Sequence, residues 1–99
     1  MNCSLPCEVK VFTPKYTNEF LKCLKKDKKR NLTMDLLQEV MNILISGKPL
    51  PQKYRDHALT GKYKGYRECH VKPDWLLVYY KTEDTIVFAK TGSHTDLFD

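Results

Sequence analysis

The sequence predicts an α+β fold, in which a helical hairpin packs on one face of a mostly antiparallel sheet. Two segments in the first half of the chain carry apolar residues at three- and four-residue spacings, the period of an amphipathic helix. The second half carries three apolar or alternating segments separated by short polar turns, as in an antiparallel meander. The 99 residues suit one domain with one site, with residues 1–7 as a tail and residues 8–99 as the domain.

The first helix is predicted over residues 14–28, after a short strand over residues 8–12. The hydroxyl of Thr13 can cap the start of this helix, and the fixed backbone angle of Pro14 suits the first helical position. Tyrosine, phenylalanine, cysteine and leucine then form one apolar stripe, while the lysines face water. We expect the first strand to join the sheet.

A second helix is predicted over residues 33–46, and Gly47 can supply the left-handed residue that ends it. Three strands follow, over residues 65–72, 75–81 and 85–90. The middle strand is almost wholly apolar, which indicates that the sheet is covered on both faces, partly by the helices.

The charge balance favours a polyanionic partner. Seventeen basic residues against twelve acidic ones give a net charge of +5, although many basic proteins bind an acidic protein instead. A basic run between the two helices is a candidate for gripping the phosphates of RNA. The alternative is a solvated helix end, where cations favour the negative end of the helix dipole. The run consists of Lys25, Lys26, Lys28, Lys29 and Arg30.

No apolar run is long enough to cross a bilayer, and the N-terminus lacks the layout of a signal peptide, so we expect a cytoplasmic protein without membrane contact. The four cysteines are then expected to be reduced. Cys3 and Cys7 have the spacing of a metal-ligand pair, but no second pair follows, and ordinary thiols are the preferred interpretation. We therefore expect no metal site and no cofactor.

Three histidines, His57, His70 and His94, lie before, within and after the predicted meander, where strand ends and loops can converge. With an unperturbed pKa of about 6.5, a histidine can serve as base or acid near neutral pH. RNA carries its own nucleophile, the 2′-hydroxyl, so cleavage needs only proton removal, protonation of the leaving 5′-oxygen and charge neutralisation. Histidine-based, metal-independent RNA cleavage is one interpretation. The other is that each histidine is an ordinary surface or structural residue.

Five further residues could support RNA cleavage. Asp74 is predicted to orient an imidazole, and Lys90 or Arg67 to neutralise charge on the phosphate. Trp75 and Phe98 are predicted to stack on bases. The alternatives are that Trp75 belongs to the core and that Phe98 closes the end of the sheet.

A resemblance to a known family adds to these observations. Residues 65–79, which read GYRECHVKPDWLLVY, resemble the YafQ branch of the RelE/ParE-type bacterial toxins of type II toxin-antitoxin systems. The sequence is also similar to that branch at Leu50-Pro51, at residues 54–61, at residues 91–94 and at Leu97-Phe98. The resemblance runs from about residue 9 to residue 98, and in the helices it is one of pattern more than identity.

The resemblance implies a RelE-like fold and a ribosome-associated endoribonuclease, an mRNA interferase. Such a toxin contacts ribosomal RNA, cuts messenger RNA in the decoding site without a metal, and is silenced by a cognate antitoxin protein. Promoter DNA is bound only through the complex with that antitoxin. The implied catalytic and substrate-contacting residues are His57, His70, Asp74, Trp75, His94 and Phe98. Where the family has an arginine, this chain has Lys90, which keeps the charge but loses the two-pronged grip on phosphate.

Two rival functions remain at this point. RelE-like folds also include ParE-type proteins, which inhibit gyrase by binding it, and a fold does not fix a function. The histidine, aspartate and tryptophan set of this chain favours the nuclease over such an inhibitor. A ribosome- or RNA-binding module without chemistry would need only the basic charge and the aromatic residues.

Overall fold

The computed structural model describes residues 11–29 and 34–98, without the side chains of residues 27–29, 96 and 98. Its strands are β1 (Thr13–Tyr16), β2 (His57–Ala58), β3 (Arg67–Lys72), β4 (Trp75–Lys81) and β5 (Thr85–Gly92). Its helices are α1 (Asn18–Lys29), α2 (Met34–Ile45) and α3 (His94–Phe98). None of the helices in the described ranges is long and apolar enough to cross a membrane.

The five strands form one mixed sheet in the order β1-β5-β4-β3-β2. β1 runs parallel to β5, and the other neighbours are antiparallel. With α1 and α2 packed on this sheet, the predicted α+β class is confirmed. The pairing of β2 with β3 sets His57 opposite Glu68, a register on which the geometry of the site depends.

The predicted start of the first helix is wrong. Residues 13–16 form β1, and Pro14 is tolerated there because β1 is an edge strand. The cap is Thr17, whose hydroxyl oxygen accepts the backbone N–H of Phe20 at 2.9 Å and donates to the carbonyl of Ala89 at 2.7 Å. Pairing with β5 therefore outweighs the local threonine-proline signal. Of the strand predicted over residues 8–12, only the last two residues are described, and they lie outside any strand.

The second helix and the meander are confirmed, with small shifts at their ends. The helix predicted over residues 33–46 spans Met34–Ile45, and Gly47 follows in the left-handed region with φ of 80°. β4 has its predicted bounds, while β5 continues to Gly92. Two short elements that the pattern does not predict, β2 and α3, carry the first and last histidines.

Both faces of β4 are covered, as predicted. Leu77 and Tyr79 belong to a large core with residues of α1 and α2, among them Phe20. Leu76 and Val78 belong to a smaller cluster, which also contains Ala89 and Leu97. Because Leu97 lies in α3, the smaller cluster anchors the short helix that begins with the last histidine.

Among the described residues, Cys23 and Cys69 are free cysteines. Cys69 is buried in the large core, and Cys23 is half-buried beside the smaller cluster. Cys3 and Cys7, with their alternative metal-pair interpretation, lie outside the described residues.

Two buried groups predict how stability depends on alkaline pH. Burial raises the pKa of the Cys69 thiol above its ordinary 9.0. Burial, and then a hydrogen bond to Asp56, raise the pKa of the Tyr79 phenol above its ordinary 10.0. The folded state therefore holds these protons more tightly than the unfolded chain. Their contribution to stability is complete below pH 9 and falls above the ordinary values, by up to about 1.4 kcal/mol per pH unit for each group.

We expect the thermal unfolding midpoint, measured by circular dichroism, to fall between pH 9 and pH 11. Tyr79→Phe removes one of the two protons, so the slope above pH 10 should be about half as steep in this variant. Exposed Tyr16 provides the matched control, because Tyr16→Phe should leave the slope unchanged. Equal slopes in Tyr79→Phe and the wild type would show that this phenol does not control alkaline stability.

Candidate active site

Two histidines on neighbouring strands face the same carboxylate. Nε2 of His57 lies 3.2 Å from Oε1 of Glu68, and Nε2 of His70 lies 3.8 Å from the same oxygen. The β2–β3 register places His57 opposite Glu68, and His70 is two residues further along β3, on the same face. The two imidazole centroids are 6.1 Å apart.

Both imidazoles are oriented by backbone carbonyl groups. Nδ1 of His57 lies 2.7 Å from the carbonyl oxygen of Arg55, and Nδ1 of His70 lies 3.3 Å from that of Pro73. A carbonyl oxygen only accepts, so each Nδ1 carries the proton and donates. Each Nε2 is thereby directed toward Glu68.

His94 lies on the same cleft as His57. The cleft has a volume of about 410 Å³ and is lined by His57, Leu59, Thr60, Tyr63, Glu68 and His94. His94 is exposed at the first residue of α3, which follows the interior strand β5, whereas His57 lies on the edge strand β2. The cleft is therefore lined by residues from two parts of the sheet, one on β2 and one directly after β5. The structure thus brings His57 and His94 to one cleft, and His57 and His70 to one carboxylate.

Glu68 is the residue of this site that sequence reasoning missed. It is only 7% exposed, and it is one of two buried polar residues among those that the structure describes. A carboxylate taken out of water needs cationic or hydrogen-bonding partners, and the two imidazoles stand in that position. Glu68 and His70 are two residues apart on β3, so strand alternation places their side chains on the same face of the sheet. That spacing is the sequence signal that could have identified Glu68.

Asp74 lies in the exposed turn between β3 and β4. Within the described ranges no hydrogen bond joins Asp74 to a histidine. The preceding residue, Pro73, provides the carbonyl that orients His70. In this structure the orienting contact predicted for Asp74 is therefore made by the neighbouring backbone and by Glu68.

Lys90 lines a neighbouring hollow rather than the cleft itself. Its side chain is 14% exposed, and its Nζ lies 3.9 Å from Oε2 of Glu19. It also donates to the hydroxyl of Tyr63 at 3.4 Å and to the carbonyl of Leu97 at 3.5 Å. Tyr63 lines both the cleft and the adjoining hollow of about 290 Å³ that contains Lys90. Tyr63 is thus the residue that the hollow of Lys90 shares with the cleft lined by His57 and His94.

Trp75 belongs to the core, the alternative to base stacking. Its side chain is 2% exposed, and its indole N–H donates to the hydroxyl of Thr91 at 3.0 Å. That hydroxyl donates to the carbonyl of Leu76 at 2.8 Å, so the polar atoms are satisfied inside the protein. A ring buried in this way offers no face to a base.

Arg67 forms an ion pair with Asp56. Its Nη2 and Nε lie 3.0 Å and 3.2 Å from Oδ2 of Asp56, and the Tyr79 hydroxyl donates to the same carboxylate. The hydrogen bond with Asp56 raises the pKa of Arg67. Because Asp56 directly precedes His57, these hydrogen bonds hold in place β2, the strand that carries His57. Arg67 therefore has a positioning role in this structure; its side chain is also 42% exposed, and its phosphate contact stays a prediction.

The remaining RNA-contact residues are described only in part. Lys25 and Lys26 are exposed on α1. The side chains of Lys28, Lys29 and Phe98 and the whole of Arg30 lie outside the described residues, so their roles stay predictions.

The family model for the YafQ toxin, described as a bacterial toxin of a type II toxin-antitoxin system, matches residues 12–99. The chain belongs to the YafQ family. The mRNA interferase toxin YafQ of Escherichia coli strain K12 is 43% identical to this YafQ-family chain over 84 residues, covering 84% of this chain and 91% of the relative.

Solved structures support the same family. YafQ in the E. coli DinJ-YafQ complex superposes on this YafQ-family chain with a TM-score of 0.84 at 40% identity, covering 89% of this chain and 99% of the other. A toxin from Helicobacter pylori, described as metal-bound, gives a TM-score of 0.83 at 41% identity, with 89% of this chain and 100% of the other covered.

Proposed function

We propose that this YafQ-family chain is an mRNA interferase, a cytoplasmic endoribonuclease that cuts messenger RNA in the ribosomal decoding site and so inhibits translation. The observation that carries the proposal is the cleft in which His57, Glu68 and His94 meet, with His70 against the same carboxylate. The E. coli relative named an mRNA interferase toxin supports the substrate class.

The proposed reaction uses the 2′-hydroxyl of the RNA as the nucleophile. One imidazole removes the 2′-proton, and the oxygen attacks phosphorus to form a 2′,3′-cyclic phosphate. The other imidazole donates a proton to the departing 5′-oxygen, which leaves as a 5′-hydroxyl. His57 and His94 are the proposed pair, because they line one cleft from different parts of the sheet. Glu68 stabilises the positive charge that His57 carries for part of the cycle.

Positive charge around the cleft is proposed to hold the RNA and the ribosome. Lys90 reaches the substrate phosphate when the Tyr63 side chain moves aside, and Asp74 and Phe98 border the bound nucleotides. The basic run that includes exposed Lys25 and Lys26 contacts ribosomal RNA. The protein partner is a cognate antitoxin, as DinJ is for E. coli YafQ, and promoter DNA is bound through that complex.

The test maps the 5′ ends of messenger bound to purified ribosomes, with and without the protein. We expect new ends inside the codon at the decoding site, and none with the double variant His57→Gln, His94→Gln. Intact messenger at saturating protein would contradict the proposal. Salt-sensitive ribosome binding would then indicate a binding module, and gyrase-dependent DNA breaks would indicate a gyrase inhibitor.

A further inference from the structure

The hollow of about 290 Å³ that adjoins the histidine cleft lies on the same face of the sheet as the cleft. Glu68 on β3 is paired with Val78 on β4, and Val78 is paired with Lys90 on β5. Residues directly opposite share a face, and neighbouring strands are about 4.8 Å apart, so Lys90 is about 10 Å from Glu68 across that face. An RNA strand in the cleft can therefore extend into the hollow. The residues that line the hollow are Thr17, Glu19, Lys62, Tyr63, Tyr66, Ala89 and Lys90.

One wall of the hollow combines an aromatic ring with positive charge. The Nζ atoms of Lys62 and Lys90 lie 5.4 Å and 4.8 Å from the centre of the half-buried Tyr63 ring. Tyr66 supports this ring edge-on, with 6.4 Å between the centroids, and is itself packed edge-on against Tyr80 at 5.2 Å. A tyrosine ring is a stacking surface for a base, and the ammonium groups beside it attract phosphate. The hollow therefore matches a flat base attached to an anion.

Glu19 gives the hollow a hydrogen-bond acceptor. It lies in the first turn of α1, and its side chain is 63% exposed. Its Oε2 lies 3.9 Å from the Nζ of Lys90, which is too far for a hydrogen bond. A carboxylate offers acceptors and no donor, so it can accept from the exocyclic amino group of a base such as cytosine. It repels the carbonyl oxygen that uracil has at the same position.

We propose that this hollow binds the base of a nucleotide next to the scissile phosphate, with Tyr63 as the stacking surface and Glu19 as the residue that selects the base. The favoured bases carry an exocyclic amino group, and uracil is disfavoured. The subsite rests on the proposed function, because the cleft is where the phosphodiester is proposed to bind. Sequence spacing does not show the subsite, because its residues come from α1, β5 and the short turn Gly61–Tyr63.

Binding is tested first, with RNA that cannot be cut. Hexamers of cytosine and of uracil carry 2′-O-methyl groups, which block the nucleophile, and their affinities are measured by fluorescence anisotropy. We expect the cytosine hexamer to bind about tenfold more tightly, within the range for one base contact. Glu19→Gln supplies a donor as well as an acceptor, so the two affinities should come within about twofold of each other.

The exposed turn between β4 and β5 offers a matched control. Glu83→Gln removes the same charge at a distance from the hollow, and it should keep the tenfold ratio of the wild type. Glu19 and Glu83 are both exposed, so both variants should fold like the wild type. A ratio of affinities that is the same in Glu19→Gln and the wild type would overturn the inference.

The stacking surface is tested by Tyr63→Leu, which keeps an apolar side chain but removes the ring. Both hexamers should then bind about tenfold more weakly, the usual loss of one base stacked on an aromatic side chain. Circular dichroism checks the fold. Unchanged affinity of a folded Tyr63→Leu protein for both hexamers would remove Tyr63 from the subsite, and if this variant does not fold, the Glu19 experiment decides alone.

Cleavage is then mapped on ribosome-bound messengers that carry random nucleotides on both sides of the cut. We expect one position next to the cut at which the wild type disfavours uracil, and Glu19→Gln should remove this preference at that position alone. If Glu19 serves only to hold Lys90, its loss would change the rate for every sequence alike. Unchanged base preferences would therefore overturn the inference.

The two proposals fail in different ways. A protein that cuts messenger with base preferences independent of Glu19 overturns the subsite and leaves the proposed function intact. A protein that cuts no messenger, but binds the two hexamers with a ratio that depends on Glu19, supports the subsite and contradicts the proposed function.

Discussion

Replacing His94 with glutamine is expected to lower the cleavage of ribosome-bound messenger by about 10²- to 10⁴-fold, the usual contribution of a proton-transferring side chain. The side chain is exposed and lines the same cleft as His57, where we propose that the phosphodiester binds. Glutamine keeps a similar size and can form hydrogen bonds, but it cannot carry a proton. The measurement is the single-turnover rate at saturating ribosome complex.

The adjacent residue offers a matched control for this experiment. Thr95 is exposed on the same short helix, and Thr95→Ala should cut at close to the wild-type rate. Both substitutions are at exposed positions, so both proteins should unfold within about 0.5 kcal/mol of the wild type. A folded His94→Gln protein that cuts at the full rate would remove His94 from the mechanism.

Replacing Trp75 with alanine is expected to lower the free energy of unfolding by about 3–5 kcal/mol, the cost of removing a buried aromatic side chain. The indole is 2% exposed and belongs to the large core, and its N–H is bonded to Thr91. Urea denaturation at equilibrium measures the loss. An exposed base-stacking tryptophan would give a change well below 1 kcal/mol.

Trp75→Phe separates the core role from an RNA contact. This variant keeps much of the apolar ring but loses the donor to Thr91, at a cost of about 1–3 kcal/mol. If Trp75 acts only in the core, the folded Trp75→Phe protein should cleave messenger at nearly the wild-type rate. A folded variant that has lost most of its cleavage activity would restore the predicted contact with the base.

The elements whose sequence signal is local were predictable. The second helix and the meander have periodic apolar residues and clear turn signals, and the structure changes their ends by one or two residues. β1 was not predictable in the same way, because Thr13 and Pro14 carry a good local helix start. The strand is identified only by its pairing with β5 and by the Thr17 hydroxyl, which caps the helix that follows.

The same distinction holds for the site. His57, His70 and His94 could be singled out because few residue types can both give and accept a proton near neutral pH. Their relation to Glu68 depends on the register of β2 with β3, which a sequence pattern does not specify.

Arg67 and Trp75 were assigned to RNA for their chemistry alone. Partners that are distant in the sequence give both residues structural contacts: Asp56 bonds to the arginine, and Thr91 bonds to the tryptophan inside the core. Residue type therefore suggests what a side chain can do, whereas tertiary pairing determines whether it is available to do it.

Catalysis by proton transfer between imidazoles in this cleft is tested most directly by the chemistry of the cut ends. Messenger on ribosomes is cut by metal-free protein, and the downstream fragment is labelled with polynucleotide kinase, with and without prior phosphatase treatment. Attack by the 2′-hydroxyl leaves a 5′-hydroxyl, so we expect full labelling without phosphatase and a 2′,3′-cyclic phosphate on the upstream fragment. Labelling that requires phosphatase would show a 5′-phosphate, which only attack by water with departure of the 3′-oxygen produces, and would contradict this mechanism.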